Sequence, residues 1–377
     1  MQKNIRMLPF YSCFLLIIAW EQRKLGEVVS LCSGKDYKHL NIGEIPVYGT
    51  GGYMLSVNDA LSYNEDAIGI GRKGTIDKPY ILRAPFWTVD TLFYSIPKNE
   101  VDLDFIYTIF QRVNWKKKDE STGVPSLSKV IINSTNITVP IYQEQIKVGT
   151  FFKQLDDIIA LNNRKYDALK QLKSGYLAQI FSQNLRFSGF LEDWEVRKFK
   201  DFIVKSGLRN KYDEDFPAYS VSNQLGLIPQ IEQFEASRLD TLDKTAYKFV
   251  QPHEFAYNPS RINVGSIAFN NLEKTVIVSS LYVVLKTSDK LNNEFVLQYI
   301  KSPEFLKEVK RNTEGSVREY LFYESFKNIK LPYTSKVAEQ MKIGIFLKYL
   351  DQLINQQQTK VNVLKEIKQS YLQKIFV

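Results

Sequence analysis

The stretch Gln145–Phe181, QIKVGTFFKQLDDIIALNNRKYDALKQLKSGYLAQIF, returns without a gap as Gln340–Phe376, QMKIGIFLKYLDQLINQQQTKVNVLKEIKQSYLQKIF. The offset is 340 − 145 = 195 residues, and Gly149/Gly344 and Asp156/Asp351 are among the identical positions. Chance does not produce such a register over this length. A fixed offset is the signature of a duplicated unit, so the chain consists of two repeats that each end in this segment.

Both copies have helical character, because their apolar residues step by three or four and neither copy contains proline. About 37 residues at 1.5 Å per residue make a rod of roughly 55 Å, which would separate the parts it connects. The apolar stripe is narrow, which favours pairing of the two helices over two unrelated surface helices. The residues predicted to pair are Leu155, Ile159, Asn162, Tyr166, Leu169, Tyr176, Leu350, Ile354, Gln357, Val361, Leu364 and Tyr371.

Some positions of the stripe stay open. Either Leu172 or Lys173 continues it in the first copy, and either Ile367 or Lys368 in the second. Asn162 and Gln357 stand where apolar residues would pack best. Buried amides of this kind exchange stability for a fixed register, and the alternative is an exposed, fraying position.

Each repeat also begins and closes alike. Trp20-Glu21-x-Arg23-Lys24 recurs as Trp194-Glu195-x-Arg197-Lys198, and Asn136-Ile137-x-x-Pro140 recurs as Asn328-Ile329-x-x-Pro332. The sequences between these motifs share little, so whatever differs in function between the repeats belongs to these middles. The predicted division is an irregular N-terminal segment 1–19, a first domain 20–140, a central helix 141–181, a linker 182–193, a second domain 194–332 and a distal helix 333–377.

Composition predicts a globular chain with a polyanionic partner. The chain is 44% hydrophobic and 13% aromatic, which is ample for packed cores, and its net charge of +9 favours nucleic acid without proving it. Cysteine occurs only at Cys13 and Cys32 and histidine only at His39 and His253, so no zinc ligand set can be built and a reducing cytoplasm is expected.

The middle of the first repeat shows strand and turn chemistry. Short apolar runs lead into Gly49-Thr50-Gly51-Gly52 and into Gly71-Arg72-Lys73-Gly74-Thr75. Cations between glycines suit phosphate and base contacts, and a solvated hairpin tip is the other interpretation. The candidate DNA-binding residues of the whole chain are Lys35, Arg72, Lys73, Arg83, Arg209, Lys211, Arg238, Arg261, Lys310, Arg311 and Arg318.

Enzyme signatures are missing from the sequence. Gly69 to Gly74 does not fit a phosphate-binding Walker loop, and Tyr257-Asn258-Pro259-Ser260 lacks the second proline and the aromatic residue of an adenine methyltransferase motif. Glu308-Val309-Lys310 is similar to a nuclease triplet, but no suitable upstream Asp accompanies it. We therefore expect no catalytic residue, metal site or cofactor in this chain.

An ordered set of motifs resembles the specificity subunits of type I restriction-modification systems. The set covers residues ~20 to 377 and consists of Trp-Glu-x-Arg-Lys at the start of each repeat, Tyr48-Gly49-Thr50-Gly51-Gly52, Gly71-Arg72-Lys73-Gly74-Thr75-Ile76, Trp87-Thr88-Val89-Asp90-Thr91, Thr122-Gly123-Val124-Pro125-Ser126-Leu127, and Pro140 followed by Glu144-Gln145 before a long helix. The resemblance implies an α+β fold with two β-rich target-recognition domains, separated by two long helices that form an antiparallel coiled coil.

The resemblance also implies the function. Each domain would recognise one half of a split, asymmetric target in double-stranded DNA, and the helices would set the spacing and dock two modification subunits. Chemistry would belong to the partners, since modification subunits methylate adenine with S-adenosylmethionine and restriction subunits use ATP and Mg²⁺ to translocate and cut. No membrane is implied.

Two departures from the family pattern bear on these expectations. The second repeat lacks the Tyr-Gly-Thr-Gly-Gly and Gly-Arg-Lys-Gly runs, so its half of the target should differ. The apolar run Phe14–Ile18 is not typical of the family's N-terminus and is similar to a short signal-peptide core, although it is too short to span a bilayer. This run leaves a secreted adhesion protein, a different start site or an inactive allele as alternatives. The basic charge and Glu308-Val309-Lys310 leave a stand-alone nuclease or methyltransferase as another.

Overall fold

The computed structural model describes residues 20–222, 226–230, 244–313 and 320–376. The chain packs into two compact units. Unit one takes the described residues up to Asn163 and from Lys360 onward, and unit two takes those from Arg164 to Thr359. Both long helices are thus shared between the units instead of standing as separate segments, because each half of a helix packs into the core of its own unit. The predicted N-terminal segment 1–19 lies outside the described residues.

Unit one carries three small sheets with strand orders β1-β9, β2-β8-β5-β6 and β4-β3-β7. The strands are β1 Glu21–Lys24, β2 Val29–Ser33, β3 Ile42–Gly49, β4 Gly52–Val57, β5 Ala67–Gly71, β6 Tyr80–Leu82, β7 Trp87–Thr88, β8 Leu92–Pro97 and β9 Asn136–Val139. Its helices are α1 Leu25–Val28, α2 Leu103–Arg112, α3 Lys129–Ser134 and the first part of α4 Tyr142–Phe181, with a 3-10 turn at Trp115–Lys118. The end of the last long helix, from Lys360, also belongs to this unit.

Unit two repeats this plan with sheets β10-β19, β11-β18-β15-β16 and β13-β12-β17-β14. The strands are β10 Glu195–Lys198, β11 Ile203–Ser206, β12 Ala218–Ser222, β13 Gly226–Pro229, β14 Lys248–Val250, β15 Glu254–Tyr257, β16 Ile267–Phe269, β17 Val276–Val278, β18 Val283–Thr287 and β19 Lys330–Tyr333. Its helices are α5 Asn293–Ile300, α6 Pro303–Asn312, α7 Tyr323–Phe326 and the first part of α8 Val337–Lys374, with 3-10 turns at Phe199–Asp201 and Ile262–Val264. The end of α4, from Arg164, also belongs to this unit.

The motifs that open and close each repeat are paired strands. β1 runs antiparallel to β9, with Glu21 opposite Val139, and β10 runs antiparallel to β19, with Glu195 opposite Tyr333. The indole of the opening tryptophan then reaches the following long helix. In unit one Trp20 Nε1 donates to Glu144 Oε1 at 3.1 Å. The repeated motifs therefore form the frame that holds each domain on its helix.

A repeated glutamine fastens the start of each long helix to a shorter helix. In unit one the Gln145 side chain accepts from Asp102 N at 3.0 Å and donates to Pro140 O at 2.9 Å. In unit two Gln340 accepts from Asn292 N at 2.7 Å and donates to Thr334 O at 2.8 Å. Because Asp102 and Asn292 are the N-caps of α2 and α5, the same polar contact is made in both units.

Within unit one, the segments of α4 and α8 run antiparallel. The rings of Phe151 and Tyr371 lie 5.1 Å apart, and Asp156 Oδ1 accepts from Lys368 Nζ at 2.5 Å. From the first contact to the second, the residue numbers increase along α4 and decrease along α8, as antiparallel helices require. Tyr371 is 43% exposed despite this ring contact.

Within unit two, the symmetry-related contacts recur. Tyr176 meets Phe346 at 5.0 Å, and Lys173 Nζ donates to Asp351 Oδ1 at 2.5 Å. Lys173 is buried whereas Leu172 is 47% exposed, so the lysine takes the inner position that the sequence left open.

The other residues predicted to pair lie buried or half-buried along α4 and α8. They are Leu155, Ile159, Asn162, Tyr166, Leu169, Leu350, Ile354, Gln357, Val361 and Leu364. Asn162 and Gln357 are each only 7% exposed, which excludes the fraying position for both. In the second copy Lys368 is half-buried and Ile367 is 39% exposed. No helix in the described part of the chain combines the length and apolar character needed to cross a membrane.

Candidate nucleic-acid interface

Four of the sequence motifs of the first repeat meet at one edge of unit one. The turn after β5 bonds to the loop at 122–127, with Leu127 N donating to Arg72 O at 2.9 Å. The same turn bonds to the segment before β8, since Arg72 N donates to Thr91 O at 2.8 Å. The β3–β4 hairpin joins them through Val89 N, which donates to Tyr48 O at 3.0 Å. Motifs far apart in sequence thus form one surface.

The glycines of the turn are required by its geometry. A Cβ on Gly71 would lie 2.0 Å from Thr75 O, which no side chain tolerates. Gly74 has φ of +88°, a left-handed conformation that glycine adopts at least cost. The turn therefore presents Arg72 and Lys73 from a tight, fixed backbone.

Two cations lie over a buried aromatic ring at this edge. The guanidinium of Arg72 stands 5.8 Å from the ring centre of Phe93, and Lys129 Nζ stands 5.9 Å from it. These residues line a cavity of about 390 Å³, which Lys73 also lines. Sequence reasoning missed Lys129 because nothing local marks a lysine at the start of a short helix as a neighbour of residue 72.

Asp119 orders the loop that closes this edge. Its Oδ1 accepts from Ser126 N at 2.9 Å and from Ser121 N at 3.0 Å. These backbone donors, with the Ser121 hydroxyl, hold the pKa of the Asp119 carboxyl below its ordinary value. The loop therefore keeps its conformation with an ionised carboxylate beneath it.

The structure gives the other two candidates of unit one, Lys35 and Arg83, different neighbours from those of Arg72. Lys35 is attached to the Trp87 strand, since Lys35 N donates to Thr88 O at 2.8 Å and its carbonyl accepts from Trp87 Nε1 at 2.9 Å. Arg83 is ion-paired with Asp66 and lines a small cavity that also contains Asp156. Its surroundings are acidic, so it does not join the basic edge.

Unit two presents different residues at the equivalent turn. Leu321 N donates to Pro259 O at 3.0 Å, which is the counterpart of the Leu127–Arg72 bond. Pro259 thus stands where Arg72 stands, and Arg261 follows within the same turn. Tyr323, the first residue of α7, takes the place of Lys129, the first residue of α3.

A basic cluster in unit two forms beside this turn. Arg209 is bridged to Lys248 through the backbone, and Lys205 Nζ lies 5.9 Å from the ring centre of Tyr323. Burial, with Lys205 and Arg209 nearby, lowers the pKa of Lys248. Lys205, Arg209 and the exposed Lys211 are separated by even numbers of residues, a spacing that places side chains on one face of an extended chain. That spacing could have identified Lys205, whereas Lys248 carries no local signal.

The remaining candidates are dispersed. Lys310 and Arg311 are exposed in the last turn of α6, where Arg311 pairs with Glu308 at 2.6 Å. The other Glu308 oxygen accepts from Lys330 N at 3.2 Å, so the triplet that is similar to a nuclease motif has its carboxylate in structural contacts. In the described ranges no group of His, Cys, Asp and Glu could hold a metal ion. Arg238 and Arg318 lie outside the described residues.

The chain is similar to known proteins over most of its length. The family model of the type I restriction modification DNA specificity domain matches the chain twice, at residues 18–171 and 191–366. The type I restriction enzyme MjaVIII specificity subunit of Methanocaldococcus jannaschii is 22% identical over 336 residues, which cover 80% of this chain and 74% of that protein.

Solved structures share the fold. The S subunit of a type I restriction-modification system from M. genitalium matches with a TM-score of 0.66 at 15% identity, over 95% of this chain and 96% of that one. A chain from work on complex assembly and conformational transition of the type I R-M system matches with a TM-score of 0.54 at 15% identity, over 95% and 98%. The predicted α+β fold with two recognition domains is confirmed.

Proposed function

This chain belongs to the type I restriction modification DNA specificity domain family, and from that premise we propose that its two units recognise the two halves of one split DNA target. As a specificity subunit it determines which sequence its complex acts on. Unit one would read one half through the edge around Arg72, and unit two the other half through the edge around Pro259 and Lys248.

One observation supports the proposal most directly: the two units hold equivalent turns by the same backbone hydrogen bond, but the turns carry different side chains. The Leu127–Arg72 and Leu321–Pro259 bonds place equivalent turns in equivalent positions, yet one turn presents Arg72 and Lys73 and the other presents Ser260 and Arg261. Base edges are distinguished by the donors and acceptors that a surface presents. Two turns at equivalent positions that present different hydrogen-bond donors suit two different half-sites.

The partners of the proposed complex follow from the same duplication. A type I system joins a specificity subunit with modification and restriction subunits, and we propose two modification subunits here. Positions of α4 and α8 that correspond in the repeat expose apolar side chains, with Tyr142 and Ile146 at 42% and 40% in unit one and their counterparts Val337 and Met341 at 36% and 47% in unit two. Two apolar helix surfaces on a duplicated chain suit two copies of one partner.

Chemistry would reside in those partners. S-adenosylmethionine would serve the modification subunits for adenine methylation, and ATP with Mg²⁺ would serve the restriction subunits. This chain would then hold no cofactor and work in the cytoplasm, where the host DNA is. The length of its two long helices, α4 and α8, would set the number of base pairs between the half-sites.

Exchange of one domain tests the proposal. Residues 20–140 are replaced by the corresponding segment of another specificity subunit whose target is known, and the methylated motif of the host is sequenced. One half of the motif should change and the other half should stay. The reciprocal exchange of residues 194–332 is the matched control and should change only the other half. Loss or change of both halves in either chimaera that still directs methylation would contradict the proposal.

A further inference from the structure

The basic cavity over Phe93 in unit one can be assigned one particular contact with DNA. We propose that the cavity over Phe93 seats one phosphate group of the DNA backbone between Arg72 and Lys129. This inference rests on the proposed function, since it assigns part of the DNA contact. It differs from the sequence-reading role that the glycine-flanked Arg72-Lys73 pair also permits.

The two cations are held in position by neutral groups. Arg72 stacks on the ring of Phe93, which is 4% exposed, and its Nη1 donates to Asp90 O at 3.4 Å. Lys129 approaches the same ring. Among the described residues neither cation forms a salt bridge, whereas Arg83 is paired with Asp66. Two positioned cations at one cavity, neither in an ion pair with a described residue, suit an anion with several acceptor oxygens.

The concave shape favours phosphate over a base edge. Phosphates protrude from the duplex, whereas base edges lie at the floor of a groove roughly 8.5 Å deep. A side chain that reads a base must extend outward from the protein. The guanidinium of the exposed Arg72 instead lies over the Phe93 ring and lines a cavity of about 390 Å³ that a protruding group can enter. Phosphate contacts fix the position of a protein on DNA without reading sequence.

The equivalent place in unit two carries other chemistry. Phe93 stands opposite Ile70 across the β5–β8 pair, and Val283 stands opposite Tyr257 across the β15–β18 pair. Val283 therefore replaces the ring, as Pro259 and Tyr323 replace the two cations. The proposed seat thus belongs to unit one.

One lining residue opposes an anion. Glu120 is exposed at the rim of the cavity. Its charge repels a phosphate, so Glu120→Gln should strengthen DNA binding at low salt with unchanged sequence preference. This surface variant keeps the proposal testable even if substitution of Arg72 disturbs folding.

The salt dependence of binding tests the proposal. The full chain, assembled with its modification subunits, is titrated with a duplex that contains the host's methylated motif and with a scrambled duplex at several salt concentrations. Arg72→Ala and Lys129→Ala should each weaken binding to both duplexes by the same factor. Loss of one phosphate contact lowers the slope of log K against log salt by about 0.9, and the double variant should lose no more than this, because both cations serve one phosphate.

Lys98→Ala is the matched control. Lys98 follows the far end of β8 and its Nζ donates to Gly26 O at 2.9 Å, so its removal should leave the slope unchanged. Relaxed preference at one base pair would overturn the proposal in favour of base reading, and a double variant that loses two contacts would show two separate phosphates. The host motif should stay split and unchanged in the variants. If only the phosphate-site proposal is wrong, the host motif still depends on this chain and the Arg72 and Lys129 variants keep the salt slope of the unchanged protein. If the proposed function is wrong, the host motif does not depend on this chain.

Discussion

At the scale of residues, Asp351 shows how a half-buried carboxylate is stabilised in unit two. Its carboxylate accepts from Lys173 at 2.5 Å, from Lys301 at 3.0 Å and from Gln298 at 3.1 Å. Burial alone would raise the pKa of Asp351, but Lys301 and Lys173 outweigh it and hold the pKa below its ordinary value. The ionised carboxylate therefore contributes stability at neutral pH.

Asp351→Asn should lower the free energy of unfolding by about 3 kcal/mol at neutral pH, because it leaves Lys173 buried without its counterion. Since the folded-state pKa is depressed, the contribution is present above the unfolded pKa of about 4 and disappears as pH falls through the lower folded value. Urea unfolding of both proteins at neutral and acid pH measures it. An equal difference at both pH values would contradict the assignment, and Glu195→Gln, at an exposed ion pair, is the control with a change below about 1 kcal/mol.

Two helical glycines predict opposite effects of one substitution. A Cβ on Gly149 would lie 2.3 Å from Asp102 Oδ1 and 2.6 Å from Phe105 N, so α4 packs there against the start of α2 only without a side chain. Around Gly175 a Cβ meets nothing within 4 Å. Gly149→Ala should therefore destabilise the chain by about 2 kcal/mol or more, while Gly175→Ala should stabilise it by up to about 1 kcal/mol through helix propensity. Thermal unfolding followed by circular dichroism compares them, and a shift of the same sign in both would refute this packing.

Sequence could identify Arg72 and Lys73 at this scale because glycines on both sides mark them. It could not identify Lys129, Asp119 or Lys248, since their roles depend on neighbours at distant positions in the chain. Whether the candidate cations touch DNA stays a prediction.

At the scale of elements, the repeated motifs were visible but their pairing was not. The strand at Glu21 pairs with the strand at Val139, and no local pattern records a partner so far along the chain. The helical stripe was predictable because its spacing is local. The inner positions of Lys173 and Lys368 were left open, since each depends on the carboxylate that the opposite helix brings to it.

A glutamate of each long helix accepts a hydrogen bond from the opening tryptophan, and its replacement by glutamine should lower the free energy of unfolding by different amounts in the two units. Glu339 is fully buried and accepts from Trp194 at 3.1 Å, from Arg186 at 3.0 Å and from Thr334 at 2.8 Å. Glu339→Gln should cost about 3 kcal/mol because Arg186 loses its counterion.

Glu144→Gln is the matched substitution in unit one. Glu144 is half-buried and accepts from Trp20, so its replacement by an amide should cost about 1 kcal/mol. Urea unfolding of the two variants measures the difference. Equal losses would show that the ion pair with Arg186 adds nothing to the tryptophan contact.

At the scale of the whole molecule, duplication explains why fold and family could be predicted from the sequence. The fixed offset of the helical segments predicts two units, and the structure has a similar strand plan in each, with one additional strand, β14, in unit two. The half-sites could not be predicted, because the residues that differ lie on turns whose donors serve phosphates and bases alike.

The division of labour predicts that the purified chain has no enzymatic activity. Incubated alone with DNA and S-adenosylmethionine, or with DNA and Mg²⁺, it should give no methylated or cleaved product. Addition of its modification subunits should restore methylation, detected by transfer of a labelled methyl group. Product formed by the chain alone would favour the stand-alone nuclease or methyltransferase that the sequence left as an alternative.

The modified bases of the host test the central claim most directly. DNA is sequenced for methylated adenine in a strain that carries this gene and in the same strain without it. The account predicts a motif of two specified halves separated by unspecified base pairs, present in the first strain, absent from the second and restored by the gene. Identical methylation in both strains, or loss of a motif that is not split, would contradict it.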